Sequence, residues 1–461
     1  MVTRRQFLAA CTAMARSARL ASAGGLLEIP LEASPTTGRA AARTIEYWGY
    51  NGTLPGPLLE VRPGDTVRVS FRNGLPESTN LHFHGLHVSP SGAADNPFLD
   101  VPPGEQFLYE FSIPPDHPSG LYWYHPHMHG MAARQVYRGL AGALLVRGDI
   151  DAIPEIAAAQ EQITILQDFT LDRNNRIPEP SMPERMRGRE GSIITLNGEW
   201  QPSFSIAHNG LLRLRLVNAS CSRHYRIAVE DHPLAVIALD GNSLRAPLFT
   251  EDWLLAPGQR ADLLLAGNRP AGSYRILNLP YDRGGMGMGF MGGSTAQAPI
   301  LLATLTYADT APQSLAIPDT LLPVDPLPSA SRLRRFVLSE GGMASFLING
   351  RSFDPDRIDT RVLLGDVEDW EIQNQGDMDH PFHIHTNPFQ ALDATLQPEP
   401  VWRDTIHVPG RSSRRIRIQF RDFPGRTLYH CHILDHEDFG MMGTLDITAA
   451  APPQTASYTA P

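Results

Sequence analysis

The chain has 461 residues, more than one ordinary domain needs, and its length alone suggests about three. Its formal net charge of −10 and lack of a basic patch exclude a nucleic-acid binder of the usual electrostatic kind. No run is apolar for long enough to span a bilayer, and 40 Pro, 39 Gly and many short alternating segments argue for a β-rich chain over a helical one.

Arg4-Arg5-Gln6-Phe7-Leu8 resembles a twin-arginine export signal, with Ala21-Ser22-Ala23 as a cleavage site. Residues 1–40 are therefore expected to be a leader and an N-terminal segment. The mature protein is expected in the periplasm or outside the cell, exported already folded. Period-two alternation then marks strands. Val67, Val69 and Phe71 alternate with Arg68, Ser70 and Arg72; Leu212, Leu214 and Leu216 alternate with Arg213 and Arg215; Ile416, Ile418 and Phe420 alternate with Arg417 and Gln419. A weak repeat of strand followed by Asn recurs at Asn73, Asn218 and Asn374, which suggests three similar sandwiches. The expected divisions are a first domain over 41–152, a second over 153–310, a Pro-rich linker over 311–332, a third domain over 333–450 and a tail over 451–461.

Histidines cluster in four places: His82-Phe-His84, His125-Pro-His127-Met-His129, His380-Pro-Phe-His383-Ile-His385, and His430-Cys431-His432 followed by His436 and Met441. A His-x-His pair on a strand turns both rings to one face, as shared metal binding requires. Cys431, His436 and Met441, with His380 as a second imidazole, make the thiolate, imidazole and thioether set of a blue-copper site. A Met ligand and an isolated Cys argue against structural zinc. Cys431 lies between His430 and His432, so it offers electrons a short covalent route to a second site built from eight imidazoles. Cys11 falls in the leader and Cys221 has only Cys431 as a possible partner, so no disulfide framework is expected.

These four motifs resemble those of three-domain multicopper oxidases. Trp123-Tyr-His-Pro-His-Met-His-Gly130 and Gly139-Leu-Ala-Gly142 are similar to the bacterial periplasmic cuprous oxidases and laccase-like enzymes. The resemblance implies an all-β chain of three cupredoxin-like Greek-key β-sandwich domains. It implies four copper ions: type 1 at His380, Cys431, His436 and Met441; type 2 at His82 and His383; and a type 3 pair at His84, His125, His127, His385, His430 and His432. It also implies reduction of O₂ to water by electrons from Cu(I) or phenols, with a role in copper tolerance. Water formation consumes protons, and Glu437 and Asp95 are the candidate acids. Met286, Met288 and Met291, in a glycine-rich run, are candidate soft ligands for substrate Cu(I). The cuprous oxidases' Met-rich insertion in the third domain has no counterpart at 311–331. Thr386 stands where relatives carry Gly. The other seven histidines, His87, His117, His129, His208, His224, His232 and His407, are read as ordinary core or surface residues. A monomer with no membrane span is expected. The alternative from another class is a non-catalytic periplasmic copper-binding or scaffold cupredoxin protein.

Overall fold

The computed structural model describes residues 19–285, 298–310, 314–341 and 345–449. Among them, six sheets pair into three sandwiches, each with its own apolar core. The first sandwich sets the sheet containing Leu58–Val61, Gly142–Val146, Gly120–His125 and His82–His84 against one built from Arg43–Tyr50, Leu26–Ala40, Thr66–Asn73 and Gln106–Ser112. The other two repeat this two-sheet plan. Helices are few and short: α1 (Ala132–Tyr137), α2 (Pro154–Ala157), α3 (Met182–Arg187) and α4 (Leu434–Asp438).

The first sandwich begins earlier than the residue 41 expected. Leu26–Ala40 runs parallel to Thr66–Asn73 and antiparallel to Arg43–Tyr50. The reason lies in its alternation: Leu27, Ile29, Leu31 and Ala33 are buried, while Glu28 and Glu32 face water. Pro30 and Pro35 mask this pattern in the sequence, since proline normally marks a strand edge or a break. Arg19–Ala21 adds a further parallel strand beside Leu58–Val61.

The repeated Asn has the same role three times. Asn73 Nδ2 donates to the Glu77 and Val101 carbonyls, Asn218 Nδ2 to those of Arg223 and Leu255, and Asn374 Nδ2 to those of Met378 and Val408. Each Oδ1 accepts the backbone N–H two residues on. One buried amide thus ties a strand end to two loops in every sandwich, satisfying carbonyls that no ladder reaches. The described part of the Pro-rich connection is pinned along its length: Leu321 N donates to Arg245 O, Leu327 N to Gln390 Oε1 and Ser331 N to Val367 O.

Candidate metal centre

Strand register assembles the histidines. His82–His84 pairs with Gly120–His125 so that His82 opposes His125. In the third domain, His380–Ile384 pairs with Gly425–Cys431, which sets His383 opposite His430 and Phe382 opposite Cys431. Residues two apart share a face, so His430 and His432 point one way and Cys431 the other, into the third core. The two ends of the chain then meet ring on ring. His82 stacks on His385 and His84 on His383, each at 3.8 Å between centroids. All eight rings are at most 1% exposed.

Most of these rings are held by one nitrogen, which leaves the other free. His82 Nδ1 donates to Asp95 (3.0 Å), His84 Nε2 to Asp404 Oδ1 (3.0 Å), His125 Nδ1 to the Pro126 carbonyl (2.9 Å), His383 Nδ1 to the Asp404 carbonyl (2.9 Å) and His430 Nδ1 to the Cys431 carbonyl (3.0 Å). His82 Nε2, His84 Nδ1, His125 Nε2, His383 Nε2 and both nitrogens of His432 are buried without a hydrogen-bond partner. His127, His385 and His430 bring their Nε2 atoms together, with His430 3.1 Å from each of the others. Burial, with repulsion from neighbouring rings in most cases, lowers the pKa of every one of the eight, so the rings are neutral and carry lone pairs. Buried lone pairs that converge without donors are costly alone, and a shared cation satisfies them. The donor set therefore fits metal. Gly258, at φ +83°, is required beside it, because a Cβ there would lie 2.7 Å from the His432 ring.

A second group is sulfur-bearing. His380 Nδ1 lies 3.3 Å from Cys431 Sγ and 3.4 Å from His436 Nδ1, and all three residues are fully buried. Met441 is packed in the same core, and its backbone is tied to the ligand loop: its N–H donates to the His436 carbonyl and its carbonyl accepts from Cys431 N. Burial pushes the Cys431 thiol up, and the Ile433 N–H on its sulfur only partly offsets this, so a thiolate here needs a cation beside it. The outer edge of His436 is covered. Its Nε2 donates to the Met186 carbonyl of α3 (3.1 Å), and its ring stacks on Phe346 at 3.8 Å.

Both candidate acids are buried at the eight-histidine group. Asp95 grips His82 and also accepts the Phe83 N–H; burial pushes its carboxyl up to about 8 against that hydrogen bond. Glu437 has an oxygen 3.0 Å from His430 Nδ1 and another 3.5 Å from His127 Nε2, yet neither oxygen has a properly directed hydrogen bond. Burial raises its pKa and the neighbouring histidines lower it, with burial winning.

Two features, Asp404 and the Arg189–Asp435 pair, carry no such motif in the sequence, whereas Thr386 stands out there by its departure from Gly. Asp404 joins both ends of the chain, accepting from His84, Thr405 and, at 2.9 and 2.5 Å, Arg260 of the second domain. Burial would raise its carboxyl, but Arg260 outweighs that and holds it well below the usual carboxylate range. Its one sequence signal is a charge placed directly before the apolar strand Thr405–Val408. Arg189 grips Asp435 with two nitrogens at 2.7 and 2.9 Å, anchoring α4 to the second domain. Thr386 sits at φ +64°, a conformation that favours glycine and is strained for a β-branched residue; its carbonyl accepts from His87 Nδ1. Met286, Met288 and Met291 lie outside the described residues.

Three family models, each described as multicopper oxidase, match residues 33–150, 161–297 and 328–450. The chain belongs to the multicopper oxidase family. The multicopper oxidase mco of Staphylococcus haemolyticus (strain JCSC1435) is 29% identical over 411 residues, covering 87% of this chain and 83% of the relative. The cell division protein FtsP of Edwardsiella tarda (strain FL6-60) is 30% identical over 424 residues, covering 88% and 87%. Among solved structures, a multicopper oxidase from Campylobacter jejuni, described as a metallo-oxidase, superposes with a TM-score of 0.84 at 30% identity, covering 94% of this chain and 95% of that one. Membership of this multicopper oxidase family implies copper as the cofactor, and the buried groups described above could hold it.

Proposed function

We propose that this chain is a catalytically active oxidase that takes electrons singly from a small reducing substrate, Cu(I) or a phenol or both, and reduces O₂ to water. What supports the reading is that all twelve expected ligand side chains are present and buried, and that at the domain interface His82 Nε2, His84 Nδ1, His125 Nε2, His383 Nε2 and both His432 nitrogens have no protein partner. His380, Cys431, His436 and Met441 would hold type 1 copper, His82 and His383 type 2, and the other six histidines the type 3 pair. Four coppers so bound would supply storage for the four electrons that O₂ needs.

The chain's own residues supply the rest. Asp95, Asp404 and the Pro126 and Cys431 carbonyls fix which ring nitrogen faces inward. The short backbone from Cys431 to His430 and His432 joins the two sites covalently. Glu437, buried and short of hydrogen bonds, is placed to hand protons toward His127 and His430. A periplasmic or secreted monomer, exported folded and contributing to copper tolerance, completes the reading.

The likeness to FtsP favours a second reading, a copper-binding or scaffold protein without turnover. One measurement separates them. The copper-loaded protein should contain about four coppers, absorb near ~600 nm and consume one O₂ per four electrons taken from a phenolic dye. Cys431→Ser should abolish the band and the oxygen uptake. Full copper loading with no oxygen uptake from any donor would favour the scaffold.

A further inference from the structure

We infer that His87 is a positioning residue for the eight-histidine group: from the first domain it holds the backbone of Thr386 in a strained turn, and that turn sets His385. The inference rests on the copper reading above. It starts from what holds each ring. His82, His84, His125, His383 and His430 are each fixed by a hydrogen bond at one nitrogen. His385 has no such tether. Its Nε2 meets His430 Nε2 at 3.1 Å, and its Nδ1 is buried without a partner. The ring is therefore placed by its packing on His82, at 3.8 Å between centroids, and by its own backbone.

That backbone is strained. The Asn387 N–H donates to the His385 carbonyl at 2.6 Å across Thr386, whose φ is +64°. A bond from residue i+2 back to i around a positive φ is the rare, strained form of the γ-turn, and a β-branched residue fits it poorly. The Thr386 side chain gives nothing back, since it is buried and its Oγ1 has no partner. The turn is held from outside. His87 Nδ1 donates to the Thr386 carbonyl at 2.6 Å, and His87 Nε2 donates to Asp422 Oδ2 at 2.9 Å. Both partners only accept, so both ring nitrogens donate. The ring is seated for this: the His87 N–H donates to His117 Nε2 at 3.0 Å, and the Phe423 ring lies 4.9 Å away. At 3% exposure, water does not compete for the bond to Thr386.

A residue read as ordinary in the sequence thus ties the first domain to the backbone beside a ligand of the third. Without the Nδ1 bond, Thr386 relaxes toward negative φ and carries the His385 ring off His430. Glycine at 386 would adopt the same φ without strain and remove the drive to relax.

Asn and Gln separate the two bonds. The Asn amide nitrogen stands where Nδ1 does and keeps the donor for Thr386; the Gln amide nitrogen reaches as far as Nε2 and keeps the donor for Asp422. In the copper-free protein, hydrogen exchange at the His385 amide, which donates to the Leu428 carbonyl at 3.1 Å, reads the backbone directly. His87→Gln should speed that exchange by at least about tenfold, whereas His87→Asn, and His87→Gln combined with Thr386→Gly, should stay within about threefold of the unaltered protein. Titration with copper against a chelator should give the same order for the copper held beyond the blue centre, with affinity lower by about 10–100-fold in His87→Gln alone. The ~600 nm band, which reads the sulfur-bearing site, should be unchanged throughout. Native exchange in His87→Gln, a His87→Asn variant as weak as His87→Gln, or a double variant no better than the single overturns the inference, whatever copper does. Loss of the blue band together with the faster exchange would mark a general loosening and overturns it too. The expected exchange pattern in a protein that takes up no copper overturns the copper reading instead.

Discussion

Asp404 touches no expected ligand position in the sequence, yet three domains meet at its carboxylate. It fixes His84 by accepting the Nε2–H hydrogen bond, which turns Nδ1 inward, and it neutralises the buried Arg260. Asp404→Asn keeps the volume but removes the charge that makes Nε2 the protonated nitrogen. Copper affinity at the eight-histidine group should fall by about 10–100-fold. Unfolding of the copper-free protein should also become easier, by up to about 3–5 kcal/mol, because Arg260 loses its nearer carboxylate and keeps only Asp240 at 3.6 Å. Metal analysis after dialysis and a urea titration check the two effects separately. Glu437 invites a different experiment. Glu437→Gln keeps the shape and the burial but cannot carry a proton. Reduction of the blue band by a donor should proceed at the native rate, while reoxidation of the fully reduced protein by O₂ should slow by at least about tenfold. Stopped-flow traces in both directions check this, and native reoxidation would leave Glu437 a structural acid.

At the scale of elements, the ligand loop is held from outside its own domain. α4 carries His436 and Glu437, and its Asp435 is gripped by Arg189 from the second domain at 4% and 0% side-chain exposure. Further attachments are Arg185 on Asp435, His436 Nε2 on the Met186 carbonyl, Leu434 N on the Cys221 carbonyl, and Asp438, whose carboxylate accepts the Ala132 and Ala133 N–H groups at the start of α1. Arg189→Met keeps much of the bulk and leaves the buried Asp435 carboxylate only Arg185 at 3.4 Å and the backbone N–H of residue 189 at 3.0 Å. A loss of about 3–5 kcal/mol is expected in urea unfolding, with the blue band shifted or broadened as α4 loosens. Much of this scale was legible in advance. The alternation at Val67–Phe71, Leu212–Leu216 and Ile416–Phe420 marked real strands, and Asn73, Asn218 and Asn374 marked one buried tie repeated three times. The strand Leu26–Ala40 was not, because its prolines contradict its alternation. Asp404, Arg189 and the Met186 cover on His436 were not legible either. Each acts across 130 or more intervening residues, and no local pattern encodes which distant side chain a buried charge will meet.

For the whole molecule, the buried histidines set the response to acid. In the unfolded chain they titrate near 6.5, whereas in the fold burial holds His117, His127 and His430 near 4 and His380 near 3. Between those values the unfolded chain binds more protons than the folded one, so acid favours unfolding. Stability of the copper-free protein should therefore fall as pH drops below about 6.5 and go on falling past 4, where His380 and the more deeply lowered rings still resist protonation, each ring contributing up to about 1.4 kcal/mol per pH unit. Asp95, Glu437, Asp438, Asp240 and Asp168 act in the opposite sense, since burial raises each carboxyl and its contribution is lost as pH rises through the folded value, but the buried rings outnumber them. Urea midpoints across pH 4–8 check the sign; a flat profile would mean that these rings are protonated in the fold. Copper should raise the whole curve by mass action, most at neutral pH where the ligands need no deprotonation.

The ring-on-ring contact of His82 with His385 and His84 with His383 also fixes when the centre can exist. Its first half is made early in synthesis and its second half within the last fifth of the chain, so a ribosome that stops before residue 383 releases four histidines with nothing to face. An unfinished copy therefore cannot assemble the buried group, and its first-domain histidines lack the third-domain rings they stack against.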